Sequence, residues 1–149
     1  MKPKTKIDIP LLIADDDLDD CKMIKEAFEE SRLLNTLNFV HDGEQLLKYL
    51  SENPSPGLIL LDLNMPKKDG REALQEIKNN PQLRHIPIVV LTTSQAEEDI
   101  FRTYNLGVNS FITKPVSFDG LVQIMRALGR YWFEIVELPD PNPQKSPLS

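Results

Sequence analysis

The sequence predicts an α/β three-layer sandwich, a parallel sheet of five strands covered on both faces by five helices. Two observations predict it. Short apolar runs of strand length alternate along the whole chain with segments of helical period. Such a run, for example Leu58-Ile-Leu-Leu61, is unbroken rather than alternating, as in strands buried on both faces. Short strands alternating with helices of this length require right-handed crossovers and a parallel sheet. The pattern leaves strand order open, with 2-1-3-4-5 one of two common arrangements.

Residues 1–8, with Lys2, Lys4 and Lys6, read as a flexible solvated lead; the domain is expected over 9–138. Ile9 to Ala14 is the first strand, followed at once by Asp15-Asp16-Asp17. The period then changes: Met23, Ile24, Ala27 and Phe28 share one helical face, opposite Lys22, Lys25, Glu26, Glu29 and Glu30. Asp17 is placed to cap this helix, and Cys21 reads as a small, partly buried side chain on the shoulder of its apolar face. Leu37 to His41 is the second strand. Asp42-Gly43 turns it into a helix with Leu46, Leu47 and Leu50 inward, closed by Pro54-Ser-Pro-Gly57.

The third strand, Leu58 to Leu61, ends on Asp62, and Pro66 stops any continuation. Asp69 with Glu72 has the spacing of a capping box, opening a helix through Leu74 and Ile77. Ile86 to Leu91 is the fourth strand, ending on Thr92-Thr93-Ser94. Ser94 with Glu97 repeats the capping spacing, and Ile100, Phe101 and Tyr104 form the apolar side of the next helix. Asn109 to Thr113 is the fifth strand, ending at Lys114-Pro115. A last helix starts near Ser117 with Leu121, Val122, Met125, Leu128, Trp132 and Ile135 in one stripe. Pro139 stops it, and the Pro-, Ser- and Asn-rich tail of residues 139–149 is expected to stay disordered.

Composition bounds the function. The chain has 149 residues, enough for one domain with a full core, and 40% hydrophobic and 27% charged residues, as in an ordinary soluble protein. A formal net charge of −6 argues against a DNA partner, since phosphate binding needs a basic face. The single Cys21 fits a reducing, cytoplasmic setting. No apolar run approaches a membrane span, and the start lacks a signal-peptide core.

The chemistry lies at the strand ends. In a parallel sheet all carboxyl ends share one edge, so Asp15, Asp16, Asp62, Thr92 and Lys114 can meet in one crevice, where open α/β sheets bind their ligands. Taken alone, Asp62 reads most simply as the end of a strand; it is the convergence that marks a site. Carboxylates brought together repel, and a cation or raised pKa values must compensate. Hard oxygen donors with room for water suit Mg²⁺. A hydroxyl and an ammonium facing that ion suit the oxygens of a phosphoryl group, so the crevice looks built to place one on Asp62.

With these residues in hand the sequence resembles the receiver domains of two-component response regulators, over about residues 7–130. The resemblance rests on Leu11-Leu-Ile-Ala-Asp15-Asp16, Leu61-Asp62-Leu-Asn-Met-Pro66 with Asp69-Gly70, Val90-Leu-Thr92-Thr-Ser94 and Phe111-Ile-Thr-Lys114-Pro115. It implies the flavodoxin-like strand order 2-1-3-4-5, and Asp62 as acceptor of phosphate from a phosphohistidine of a histidine kinase. It implies that Asp15, Asp16, Asp62 and the backbone carbonyl of Asn64 hold Mg²⁺, Asp15 through water, while Thr92 and Lys114 contact the phosphoryl oxygens. Phe111 matches the family's switch aromatic, and Lys114-Pro115 a position that is typically cis. A narrower resemblance, to stand-alone regulators paired with phytochrome-type kinases, rests on Lys67 to Lys78, Leu91-Thr-Thr-Ser94, Glu98-Asp-Ile100 and Tyr131 to Pro139.

The implied protein is a signalling phosphoacceptor, not an enzyme, acting by docking, relay or dimerisation. A flavodoxin-type electron carrier shares the fold, but Asp15-Asp16-Asp17 would repel a flavin phosphate. An aspartyl-phosphate hydrolase needs a second acid two residues after its nucleophile, where this chain has Asn64. The main alternative is a receiver-like binding module that works without phosphorylation. It would normally have lost one of Asp16, Asp62, Thr92 or Lys114. The last helix also carries Ile124, Tyr131, Phe133 and Val136 away from its stripe. Large apolar patches usually mark contact sites. A homodimer is therefore expected through the face of the fourth helix, fifth strand and fifth helix, with Tyr131, Trp132 and Phe133 near its centre.

Overall fold

A computed structural model describes residues 10–33, 35–93 and 96–131. Five strands, β1 (Leu11–Ala14), β2 (Leu37–Val40), β3 (Leu58–Leu61), β4 (Ile88–Thr92) and β5 (Ser110–Thr113), alternate with five helices. These are α1 (Leu18–Glu30), α2 (Gly43–Glu52), α3 (Gly70–Lys78), α4 (Glu97–Asn105) and α5 (Phe118–Leu128). The sheet is parallel throughout, in the order β2-β1-β3-β4-β5. Ala14 pairs with both Val40 and Leu61, and Thr92 with Thr113, so the three inner strands and β5 end close to one edge.

The unbroken apolar runs reflect a core on each side of the sheet. Leu12, Ala14, Ile59, Leu61, Ile88 and Val90 point to one face, beneath Leu46 and Leu50 of α2 and Leu74 and Ile77 of α3. Leu11, Ile13, Leu58, Leu60, Val89 and Leu91 point to the other, beneath Ile24, Ala27 and Phe28 of α1 and Leu121, Val122, Met125 and Leu128 of α5. Burial of each of the larger of these side chains stabilises the fold by about 1.5–3 kcal/mol. Four of the helix starts use the side chains that the sequence offers. Asp17 accepts from the N–H groups of Asp19 and Asp20, Asp42 from Gln45, and Ser117 from Gly120. Asp69 and Glu72 close a reciprocal capping box.

Several expectations shift. β4 starts at Ile88 rather than Ile86 because Pro87 has no N–H for the ladder, and it runs on to include Thr92. β2 stops at Val40, where the His41 N–H turns to the Gln45 side chain. The first turn of α4 has Ala96 at its N-cap with no side-chain cap, and Ser94 lies outside the described residues. The apolar side assigned to α4 is corrected too: Phe101 is 74% exposed and Tyr104 49%, whereas Thr103 is 1% exposed. Thr103 tolerates burial because its hydroxyl donates to the carbonyls of Asp99 and Ile100 within its own helix. Ile124, placed off the stripe of α5, packs partly against the second core. No peptide bond among the described residues is cis, so the bond before Pro115 is trans, the form an X-Pro bond favours by about 0.5–1 kcal/mol. α5 ends at Leu128 and passes into one wider π turn over 129–131. Trp132, Phe133, Ile135, Val136, the lead and the tail lie outside the described residues.

Candidate functional site

Each side chain of the crevice is delivered by the carboxyl end of a strand. Asp15 follows β1, Asp62 follows β3, Thr92 closes β4 and Lys114 follows β5. Their mutual geometry is tight. The Thr92 hydroxyl donates to Asp62 Oδ1 at 2.7 Å, and the Asn64 N–H donates to the same oxygen at 3.1 Å. Lys114 Nζ donates to Asp62 Oδ2 at 3.1 Å, Asp15 Oδ2 at 2.5 Å and Asp20 Oδ2 at 2.7 Å. Asp15 and Asp62 are 1% and 6% exposed, Thr92 is fully buried, and Asp16 is open to solvent. One carboxylate oxygen from each of Asp15, Asp16 and Asp62 lies within 4.8 Å of the others.

The electrostatics follow from burial. Burial pushes the Asp15 carboxyl up to about 6, against hydrogen bonds from Lys114 and the Asp17 N–H that pull it down and the nearby charge of Asp62 that adds to the rise. Burial also pulls the Lys114 ammonium down, but its bonds to Asp15 and Asp20 outweigh that and hold it above its ordinary range. Among the described residues, the Lys114 ammonium thus pairs with three carboxylates, Asp15, Asp20 and Asp62, while the Asp16 carboxylate lies beside those of Asp15 and Asp62. The oxygen-only donor set and this unbalanced negative charge fit a divalent cation of the hard kind. Cys21 donates its S–H to the Asp15 carbonyl at 3.4 Å, and burial pushes its thiol up to about 12. It is a structural side chain.

The loop after Asp62 is braced from α3. Gly70, the first residue of that helix, donates its N–H to the Leu63 carbonyl at 2.9 Å, and a Cβ there would lie 2.4 Å from the Asp62 carbonyl oxygen. Arg71, next in line, donates to Asp69 Oδ2 at 3.0 Å and reaches both the Leu63 carbonyl and the Asn64 side chain at 3.4 Å.

The structure therefore brings together Asp15, Asp16, Asp62, Thr92 and Lys114, and ties the Asn64 backbone to Asp62. Phe111 stands apart on β5, level with Val90, half-buried against the first core, and its N–H donates to the Tyr104 hydroxyl at 3.0 Å. Tyr131 is 53% exposed at the end of α5; Trp132 and Phe133 are outside the described residues. Sequence reasoning missed Asp20. An acid in the first turn of a helix reads as a partner of the helix dipole. Only the position of α1 over the β1 edge turns Asp20 toward Lys114. A second omission is Asp99, which pairs with Arg71 across 28 positions of sequence.

Comparison with known proteins points the same way. The family model of the response regulator receiver domain matches residues 11–126. The response regulator Rcp1 of Synechocystis is 40% identical over 135 residues, which cover 87% of this chain and 92% of that protein. Among solved structures, the phosphorylated cyanobacterial phytochrome response regulator RcpA superposes with a TM-score of 0.84 at 40% identity, covering 89% of this chain and 99% of its own. The Mn²⁺-bound form of Rcp1 superposes with a TM-score of 0.82 at 39% identity, covering 88% and 99%.

Proposed function

The chain belongs to the response regulator receiver domain family, and from that membership we propose that it is the phosphoacceptor of a two-component relay, with Asp62 as the acceptor. The observation that carries this reading is the double engagement of Asp62: Thr92 holds one carboxylate oxygen and Lys114 the other, at the end of the central strand. An Asp62 oxygen attacks the phosphorus of a phosphohistidine. The new P–O bond makes an acyl phosphate as the P–N bond breaks, and the imidazole keeps the electron pair and takes a proton. Lys114 and Thr92 are placed to donate to the transferred oxygens. A bound Mg²⁺ would be held by Asp15, Asp16, Asp62 and the Asn64 carbonyl, and would neutralise charge on the phosphoryl group. That Asp16, Asp62, Thr92 and Lys114 are all present in one pocket supports this over a phosphorylation-independent module.

Within the same reading the domain spans residues 9–138, the protein is cytoplasmic and not an enzyme in its own right, and its donor is a histidine kinase. The likeness to Rcp1 and RcpA supports a donor of the phytochrome type. Among the described residues no helix is long and apolar enough to cross a membrane. Output is by docking, relay or a homodimer through α4, β5 and α5, with Thr92 moving toward the phosphoryl group and Phe111 turning inward in response. Incubation with acetyl phosphate and Mg²⁺ tests the acceptor. Intact mass should show one phosphoryl group on the wild type and none on Asp62→Asn or after chelation. Equal labelling of wild type and Asp62→Asn would sink the assignment. Thr92→Ala should still be labelled but lose the NMR shift of Phe111.

A further inference from the structure

Arg71 does more than brace its own turn. It stands in the first turn of α3, and its guanidinium makes a two-pronged ion pair with a carboxylate on a different helix: Nε donates to Asp99 Oδ1 at 2.7 Å and an Nη to Asp99 Oδ2 at 2.6 Å. The remaining N–H groups face the acceptor loop. They reach Asp69 Oδ2 at 3.0 Å, the Leu63 carbonyl at 3.4 Å, and the Asn64 side-chain oxygen at 3.4 and 3.5 Å. Both partners of the fork are largely shielded, with side chains 23% and 15% exposed, so solvent screens the pair less than an ordinary surface bridge. On the outer side of α4 Phe101 and Tyr104 are exposed, and the Tyr104 hydroxyl accepts from the Phe111 N–H of β5.

We propose that Arg71 is a positioning residue for the phosphoacceptor loop and that Asp99 is its counterpart, so that one guanidinium fixes Asn64 and the first turn of α4 together. The functional consequence rests on the acceptor reading above, because residue 64 matters through the carbonyl it would lend to the cation. The planar fork is what lets one side chain bind a carboxylate edge-on and still present donors to the loop. A lysine in its place keeps the charge but cannot make both sets of bonds.

The test is a Mg²⁺ titration by calorimetry on the full chain, comparing wild type with Arg71→Lys and Asp99→Asn. Glu98→Gln serves as a control that removes the same charge from an exposed neighbour on the same helix. Arg71→Lys and Asp99→Asn should each weaken Mg²⁺ binding at least threefold, with Glu98→Gln close to wild type. An unchanged affinity in Arg71→Lys, or an Asp99→Asn effect no larger than that of Glu98→Gln, would overturn the proposal. Amide hydrogen exchange without metal provides a second readout, independent of whether the wild type binds Mg²⁺ or takes phosphate. Asp99→Asn should speed exchange at the N–H groups of both Asn64 and Thr103, one on each side of the fork. Faster exchange on the α4 side alone would also overturn it.

Discussion

Asp15 sits where burial disfavours its charged form. Its carboxyl is raised from 3.8 to about 6, first by burial. A folded pKa above the unfolded one means that the folded state holds the proton more tightly. The group's contribution is therefore most favourable below about pH 4, falls as pH rises toward about 6, and stays unfavourable above that. In chelator, Asp15→Asn should gain thermal stability relative to wild type between about pH 4.5 and pH 6.5. A constant difference in Tm across that range would contradict the assignment of the burial cost to Asp15. At this scale the site was readable where a residue's position follows from its place at a strand end, as for Asp62, Thr92 and Lys114. Asp20 and Asp99 were not readable, because their partners depend on how helices sit on the sheet, which local period does not encode.

Among the elements, α1, α2, α3 and α5 were legible as stripes because their inward residues are apolar and recur at helical spacing. α4 was misread for a physical reason: its deepest residue, Thr103, hides a hydroxyl satisfied within the helix, while its aromatics face outward. The start of α3 shows the opposite situation, where a small residue is required. At Gly70 an added Cβ would meet two immovable backbone atoms, the Asp62 oxygen at 2.4 Å and Leu63 Cα at 2.7 Å. Gly70→Ala should therefore cost about 1–3 kcal/mol in chemical denaturation and slow acetyl phosphate labelling by displacing the end of β3. Unchanged stability would mean that the strand and helix separate more readily than this packing implies.

For the whole molecule, alternation and buried strands were enough to name the class, but the order β2-β1-β3-β4-β5 had to come from the family resemblance, since periodicity is blind to which strands adjoin. The proposed homodimer also belongs to this scale. Phe101 on α4 is 74% exposed and Tyr131, beyond α5, is 53% exposed. Phe101→Glu should change stability by no more than about 0.5 kcal/mol yet weaken self-association in sedimentation. Cutting the chain after Gly129 should weaken it as well, with Asp62 still able to take phosphate. A wild type that stays monomeric at micromolar concentration, with or without a phosphate mimic, would rule the dimer out.

The single ammonium among the acids of the crevice has a consequence for synthesis on the ribosome. Asp15, Asp16 and Asp20 leave the exit tunnel first, Asp62 follows with β3, and Lys114 comes only after β5, the last strand to be translated. A nascent chain in which the first four strands have already docked carries these acids without the ammonium that pairs with Asp15, Asp20 and Asp62. Until Lys114 has left the tunnel, water, mobile cations and the hydrogen bonds from Thr92 and the Asp17 N–H must offset the charge at that edge. The pocket is thus completed only once β5 has taken its place at the edge of the sheet.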